Sequence, residues 1–160
     1  MTPEDSLMKV CDSTLDDRDI VTDPDIVRSY SRDRSTGSVA AEPIGVVFPR
    51  STEQVATVMA AAHKNRVPVV PRGAGSGLSG GSNAIEGSLV LCVERMRDVL
   101  DVNLTDGYVE TQPEFSIRNC VNMSVAQACG TRPTRLAKIS VQSVAMSTQM
   151  RAAYVASNTE

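Results

Sequence analysis

The chain has 160 residues, 41% of them apolar and 22% charged, with a net charge of −3. That is enough apolar material for one domain core, and it gives no electrostatic reason for binding nucleic acid or an anionic membrane. With no Trp, two Phe and three Tyr the chain offers no base-stacking platform, and no apolar run approaches the roughly 18 residues of a membrane helix.

Residues 1–22 are polar and acidic and are expected as an N-terminal arm, without the apolar stretch of a secretory signal. Asp23-Pro24 reads as an N-cap followed by proline at the first helical position. The helix it opens runs to Ser31, with Ile26, Val27 and Tyr30 on one side. Residues 32–42 are rich in Ser, Gly and charge and read as a loop. Ile44–Phe48 is a short apolar strand that stops at Pro49. Ser51 and Gln54 have capping-box spacing, and Val55, Val58, Met59 and Ala62 recur at helical intervals after them. Val67–Val70 is a second strand, so a strand–helix–strand unit with parallel strands and a right-handed crossover is expected.

Ser88–Val93 reads as a third strand. Val99–Val102 and Tyr108–Thr111 read as two more, around a turn at Asp106-Gly107. Ser116–Ala128 has a helical stripe of Ile117, Val121, Val125 and Ala128, closed by Gly130. Residues 131–160 show no clear period of 2 or 3.6. Cys11, Cys92, Cys120 and Cys129 form no Cys-x-x-Cys pair. Zinc or dithiol chemistry is therefore unsupported, no metal ligand is assigned, and reduced, buried thiols in a cytoplasmic protein are the expectation.

The densest signal lies between the second and third strands. Gly73, Gly75, Gly77, Gly80 and Gly81 fall within nine positions. Glycine admits positive φ, so successive N–H groups can point into one concavity, and the absent Cβ lets a ligand approach the backbone. A pyrophosphate suits such a surface. Ser76, Ser79 and Ser82 add hydroxyl donors, and Arg72 adds charge unless a neighbouring acid pairs with it. Gly75-Ser76-Gly77-Leu78-Ser79-Gly80 also satisfies G-x-G-x-x-G, but a Rossmann nicotinamide site needs a helix opening inside that motif. Here Gly81-Ser82-Asn83 and then a strand follow. No Gly-Lys-Ser/Thr is present, which excludes a Walker A loop; a surface loop without a ligand is the remaining alternative.

These residues resemble a known family. Pro49-x-Ser51-x-x-Gln54-Val55, the run Val67 to Gly81, and Tyr108-Val109-Glu110-Thr111-Gln112-Pro113 are similar to FAD-linked oxidases of the p-cresol methylhydroxylase and vanillyl-alcohol oxidase type. They are most similar to the group containing the glycolate oxidase subunit and D-lactate dehydrogenase. The resemblance spans about residues 23–112.

It implies an α+β sandwich, the N-terminal part of a PCMH-type FAD-binding domain over residues 23–130. It implies that Pro71, Arg72, Gly73, Ala74, Gly75, Ser76, Gly77, Leu78, Ser79, Gly80 and Gly81 wrap the FAD pyrophosphate, and that Gln112 and Pro113 begin a flavin-lining turn. Ser76 stands where covalently flavinylated relatives have histidine, so FAD is expected to be non-covalent; His63 is expected on a helix surface. A small 2-hydroxy acid is the substrate implied for full-length relatives. No catalytic residue is carried over to this chain, and oligomeric state is not legible. A non-catalytic anion-binding remnant is the alternative.

Two departures stand out. Glu114 replaces the glycine that follows the family's Gln-Pro pair. The family's later motifs, Pro-Asp-Pro-Ser-Ser, Ile-Gly-Gly-Asn, Asn-Ala-Gly-Gly and Lys-Tyr-Gly, are absent from residues 131–160. Synonymous codons for Gln142 to Ala153 allow Ile-Gly-Gly-Asn and then Asn-Ala-Gly-Gly in the adjacent frame. The expectation is therefore a single-base shift shortly before Pro133 and a tail, 131–160, without selected structure. Sequencing the coding DNA checks this: the codons of Ser143 to Ala153 should spell that motif in the shifted frame, and the idea fails if they do not.

Overall fold

The computed structural model describes residues 2–37, 39–103, 105, 108–116, 138–144 and 151–155, the last two spans as backbone strands. The chain divides into two compact units, Met1–Arg95 and Met96–Glu160.

In the first unit the expected polar arm is structured. Helix α1 (Pro3–Thr14) opens on a reciprocal capping box: Asp5 N–H donates to Thr2 Oγ1 at 3.1 Å, and Thr2 N–H donates to Asp5 Oδ2 at 2.8 Å. Leu7, Cys11 and Leu15 are spaced by four and all buried, a stripe that the acidic composition around them conceals. Burial, reinforced by the neighbouring Asp12 carboxylate, pushes the Cys11 thiol up to about 11, so it stays protonated at neutral pH. A short 3-10 turn (Asp17–Asp19) leads into strand β1 (Ile20–Val21).

Helix α2 (Pro24–Ser29) starts as its sequence dictates: the Asp23 carboxylate accepts from the N–H groups of Asp25 and Ile26 at 3.0 and 3.4 Å, and Pro24 takes the first turn. Val27 is buried and Tyr30 half-buried, but Ile26, expected beside them, is 47% exposed. Strand β2 (Gly45–Val47) precedes helix α3 (Thr52–Asn65). The Ser51 hydroxyl caps α3 through Gln54 N–H at 3.3 Å. The other half of the expected capping box is displaced by one residue: Gln54 Oε1 accepts from Arg50 N–H at 2.7 Å. Gln54 Nε2 is thereby free to reach across to Thr14 O at 3.3 Å, tying the start of α3 to the end of α1. Val55, Val58, Ala61 and Ala62 are the buried face of α3.

Strands β3 (Val69–Arg72) and β4 (Leu89–Cys92) complete a sheet of order β1-β2-β4-β3. β1 runs antiparallel to β2, while β4 is parallel to both β2 and β3. The strand–helix–strand expectation thus holds for direction, since β2 and β3 are parallel, but the two do not pair. β4 sits between them because all four of its residues are buried, the pattern of a strand covered on both faces. On one face, alternate residues Val46, Phe48, Val90 and Cys92 form a core with Val27 and Ala84.

One polar node lies within this unit. Asp19 is 1% exposed and accepts from Arg50 Nε and Nη2 at 2.7 and 2.8 Å. It also pairs with Arg95 Nη1, and its carbonyl takes Phe48 N–H at 2.8 Å.

In the second unit, β5 (Val99–Asn103), β6 (Tyr108–Thr111), β7 (Lys138–Val144) and β8 (Arg151–Val155) form a sheet in that order. β5 and β6 are antiparallel with an irregularity between Val99 and Asp101, as two adjacent strands were expected to be. β6–β7 is parallel and β7–β8 antiparallel. The expected turn at 106–107 and the helix stripe of Ile117, Val121, Val125, Ala128 and Gly130 lie outside the described residues. β7 and β8 occupy the span expected to lack order, and β7 begins with an alternation, Ile139 and Val141 against Ser140 and Gln142, that suits a strand.

Replacing Asp19 with alanine leaves two arginines without their common carboxylate. The half-exposed Arg50 can rehydrate, so the expected loss is about 2 kcal/mol rather than that of a fully buried pair. Urea unfolding of Asp19→Ala against the parent checks this; an unchanged midpoint would remove the node from the fold's stability.

Candidate functional site

Between β3 and β4 the chain forms a long irregular loop with no helix in it. A G-x-G-x-x-G motif in that setting has no helix N-terminus to offer a phosphate, so the Rossmann reading is removed. The loop works by its own backbone instead. Gly75 and Gly80 adopt φ of +65° and +80°, where a side chain is strained. None of the N–H groups from Gly73 to Ser79 donates to another atom among the described residues. Ser76, Gly77, Leu78 and Ser79 are exposed, and a Cβ at Gly81 would meet nothing within 4 Å. The result is an open run of unclaimed donors, the arrangement that holds an anion through main-chain N–H groups.

Arg72 shapes the loop from beneath. It ends β3, is 9% exposed, and donates from Nη1 to Arg32 O at 2.9 Å. Its guanidinium lies 5.6 Å from the centre of the Tyr30 ring. A Cβ on Gly75 would fall 2.4 Å from Arg72 Cζ, so the backbone passes directly over the cation. Arg72 Nε is buried without a hydrogen-bond partner, and no carboxylate among the described residues pairs with the group. The alternative of a neighbouring acid neutralising Arg72 is therefore set aside. A buried positive charge beside a loop with unpaired N–H groups gives a strong local preference for an anion.

Tyr30 is held neutral, its phenol raised chiefly by burial and then by the Glu94 carboxylate. It contacts Phe48 edge-on at 5.4 Å. Cys92 Sγ lies 3.9 Å from Gly73 O.

The expected site residues fall in both units. Pro71 to Gly81 belong to the first; Gln112 and Pro113 belong to the second. Gln112 is buried and clamps the start of β5: its Oε1 accepts Asp98 N–H at 2.9 Å, and its own N–H donates to Asp98 O at 2.8 Å. Pro113 and Glu114 are half-buried in the turn that follows, where Glu114 N–H donates to Met96 O at 3.0 Å. His63 is exposed on α3, as expected. Sequence reasoning missed Tyr30, Asp33 and Asn83, all packed around the loop; the only sequence signal for Asp33 was its place among short polar residues that favour turns. No group of acids, cysteines and histidines suited to a metal ion occurs among the described residues, and no described helix is long and apolar enough to cross a membrane.

The site is thus a glycine-rich loop between two parallel strands, with unclaimed main-chain N–H groups along it. A family model described as FAD binding domain matches residues 43–144, and the chain belongs to that family. The match runs past residue 130, the boundary drawn from sequence. Among curated relatives, the glycolate oxidase subunit GlcD of Escherichia coli K12 is 41% identical over 86 residues, covering 54% of this chain and 16% of the relative. The D-2-hydroxyglutarate dehydrogenase of Stutzerimonas stutzeri is 34% identical over 94 residues, covering 59% and 20%. The chain thus spans about a fifth or less of the length of these relatives. Among solved structures, p-cresol methylhydroxylase with substrate bound superposes with a TM-score of 0.65 at 14% identity, over 78% of this chain and 25% of that one. The 4-ethylphenol oxidase of Gulosibacter chungangensis gives 0.66 at 22% identity, over 88% and 26%. They share the fold.

Gly75→Ala is expected to force both a positive φ and a clash with Arg72, costing roughly 1–2 kcal/mol of stability. Gly81→Ala, with open space and no positive φ, should change stability by no more than about 0.5 kcal/mol. Paired thermal melts of the two variants check the contrast; equal effects would mean that Arg72 does not shape the loop.

Proposed function

We propose that Pro71 to Gly81 hold the pyrophosphate of FAD without a covalent link, as the anion-binding part of a flavin oxidoreductase acting on a small 2-hydroxy acid. The observation that carries this reading is the run of unclaimed N–H groups from Gly73 to Ser79, whose backbone passes against the buried Arg72 cation at Gly75. These N–H groups donate to the phosphate oxygens, the Ser76 and Ser79 hydroxyls add donors, and Arg72 supplies a field that favours the anion from below. Leu78, 76% exposed beside these donors, gives an apolar surface for a non-phosphate part of the ligand. When bound, FAD would accept the two electrons released as the substrate's CH–OH group is oxidised to a carbonyl.

Non-covalent attachment is supported by the loop's chemistry. From Pro71 to Gly81 there is neither histidine nor cysteine, and the chain's one histidine, His63, is on α3. The 2-hydroxy-acid assignment is supported by relatives named for glycolate and 2-hydroxyglutarate. Anion binding without turnover is the second reading, favoured by the absence of a candidate proton acceptor on the loop itself.

Titrating the purified chain with FAD, followed by flavin fluorescence, tests the proposal. Saturable 1:1 binding that weakens with added salt is expected, with all flavin released on denaturation. No saturable binding would sink it. Binding without oxidation of glycolate or lactate in the presence of a dye acceptor would select the second reading.

A further inference from the structure

The glycine loop is stitched to a segment about fifty residues earlier in the chain, Ser31–Ser35, between α2 and β2. Asp33 N–H donates to Asn83 Oδ1 at 2.8 Å, and Asn83 Nδ2 donates to Ser35 Oγ at 3.3 Å. Arg34 N–H donates to Gly77 O at 2.9 Å, and Ala84 N–H donates to Ser31 O at 2.8 Å. Asp33 and Asn83 are each 8% exposed. Buried polar side chains are costly unless paired, so this stitching fixes where the loop lies.

The Asp33 carboxylate faces the loop itself. Oδ1 accepts Ser35 N–H at 2.8 Å, while Oδ2 would lie 3.2 Å from a Cβ at Gly77. Its carboxyl is held below the usual aspartate range, first by Ser35 and then by the N–H groups of Ser82 and Gly80. The Asp33 carboxylate lies against Gly77, within the stretch Gly73 to Ser79 whose N–H groups have no acceptor in the described chain.

We propose that Asp33 is a positioning residue for the pyrophosphate loop: bonded through its N–H to Asn83 and packed with its carboxylate against Gly77, it fixes the loop in the conformation that leaves the Gly73–Ser79 amides for the ligand. The inference rests on the reading that this loop holds FAD pyrophosphate. It carries a sign that simple electrostatics would reverse. Were Asp33 only a nearby negative charge, removing it would tighten the binding of an anion. As a positioning group, its removal weakens binding.

The test measures FAD and ADP affinity of the whole chain and of Asp33→Asn, Asp33→Ala and Asn83→Ala, below the melting range of each. The expected result is a loss of at least tenfold for both ligands in all three variants. The double variant Asp33→Ala/Asn83→Ala should be no weaker than the worse single one, because the two residues act as one unit. A role in stability alone would lower the melting temperature and leave the affinities of the folded variants unchanged, and that result would overturn the proposal, as would tighter binding by Asp33→Asn. If Asp33→Ala does not fold, Asp33→Asn and Asn83→Ala decide by the same criterion. A parent chain that binds neither ligand would instead defeat the FAD reading, an outcome distinct from a binding parent with unaffected variants.

Discussion

The Arg72 guanidinium beneath Gly75 is the constraint around which the site is arranged. A buried cation must find partners or face a large desolvation cost, and this one finds a carbonyl and an aromatic face in place of a carboxylate. Its charge therefore remains uncompensated toward the loop. The same group sets the backbone above it, because only a residue without Cβ can pass so close at φ of +65°. One side chain thus gives the loop both its shape and its preference for an anion.

Arg72 is held in turn by a ladder that crosses the first unit. Its guanidinium lies over Tyr30, Tyr30 and Phe48 meet edge to face, and the Arg95 guanidinium lies over Phe48 at 4.8 Å. Arg95 ends on Asp19, which also binds Arg50. The two cations at the ends of the aromatic pair differ in one respect: the carboxylate lies at the Arg95 end. The parallel pairing of β4 with β2 and β3 brings the ladder together, since Phe48 follows β2 and Arg72 ends β3.

Much of this was legible locally. Asp23-Pro24 and Ser51 start helices because their side chains satisfy amides two or three residues away, and such short-range bonds are written in adjacent positions. The apolar runs of β2 and β4 were legible for the same reason. Less legible was α1, whose stripe of Leu7, Cys11 and Leu15 is diluted by acids on its exposed face. The capping box at Ser51 was half legible: the Gln54 side chain had two backbone amides in reach and bonded Arg50. The insertion of β4 between β2 and β3 had no local signal, because strand order is decided by which strand buries both faces.

The sequence by itself determined the glycine loop, its incompatibility with a nicotinamide fold, and its likeness to FAD-linked oxidases. These follow from residue types at fixed short spacings, where glycine density and a missing helix have direct physical meaning. Only the tertiary structure decided what Arg72 does, and that Asp33 and Asn83 belong to the loop at all. Those contacts join residues about forty to fifty positions apart, and their energies come from burial and the pairing of polar groups. Burial is a property of the folded chain, and no window of sequence contains it.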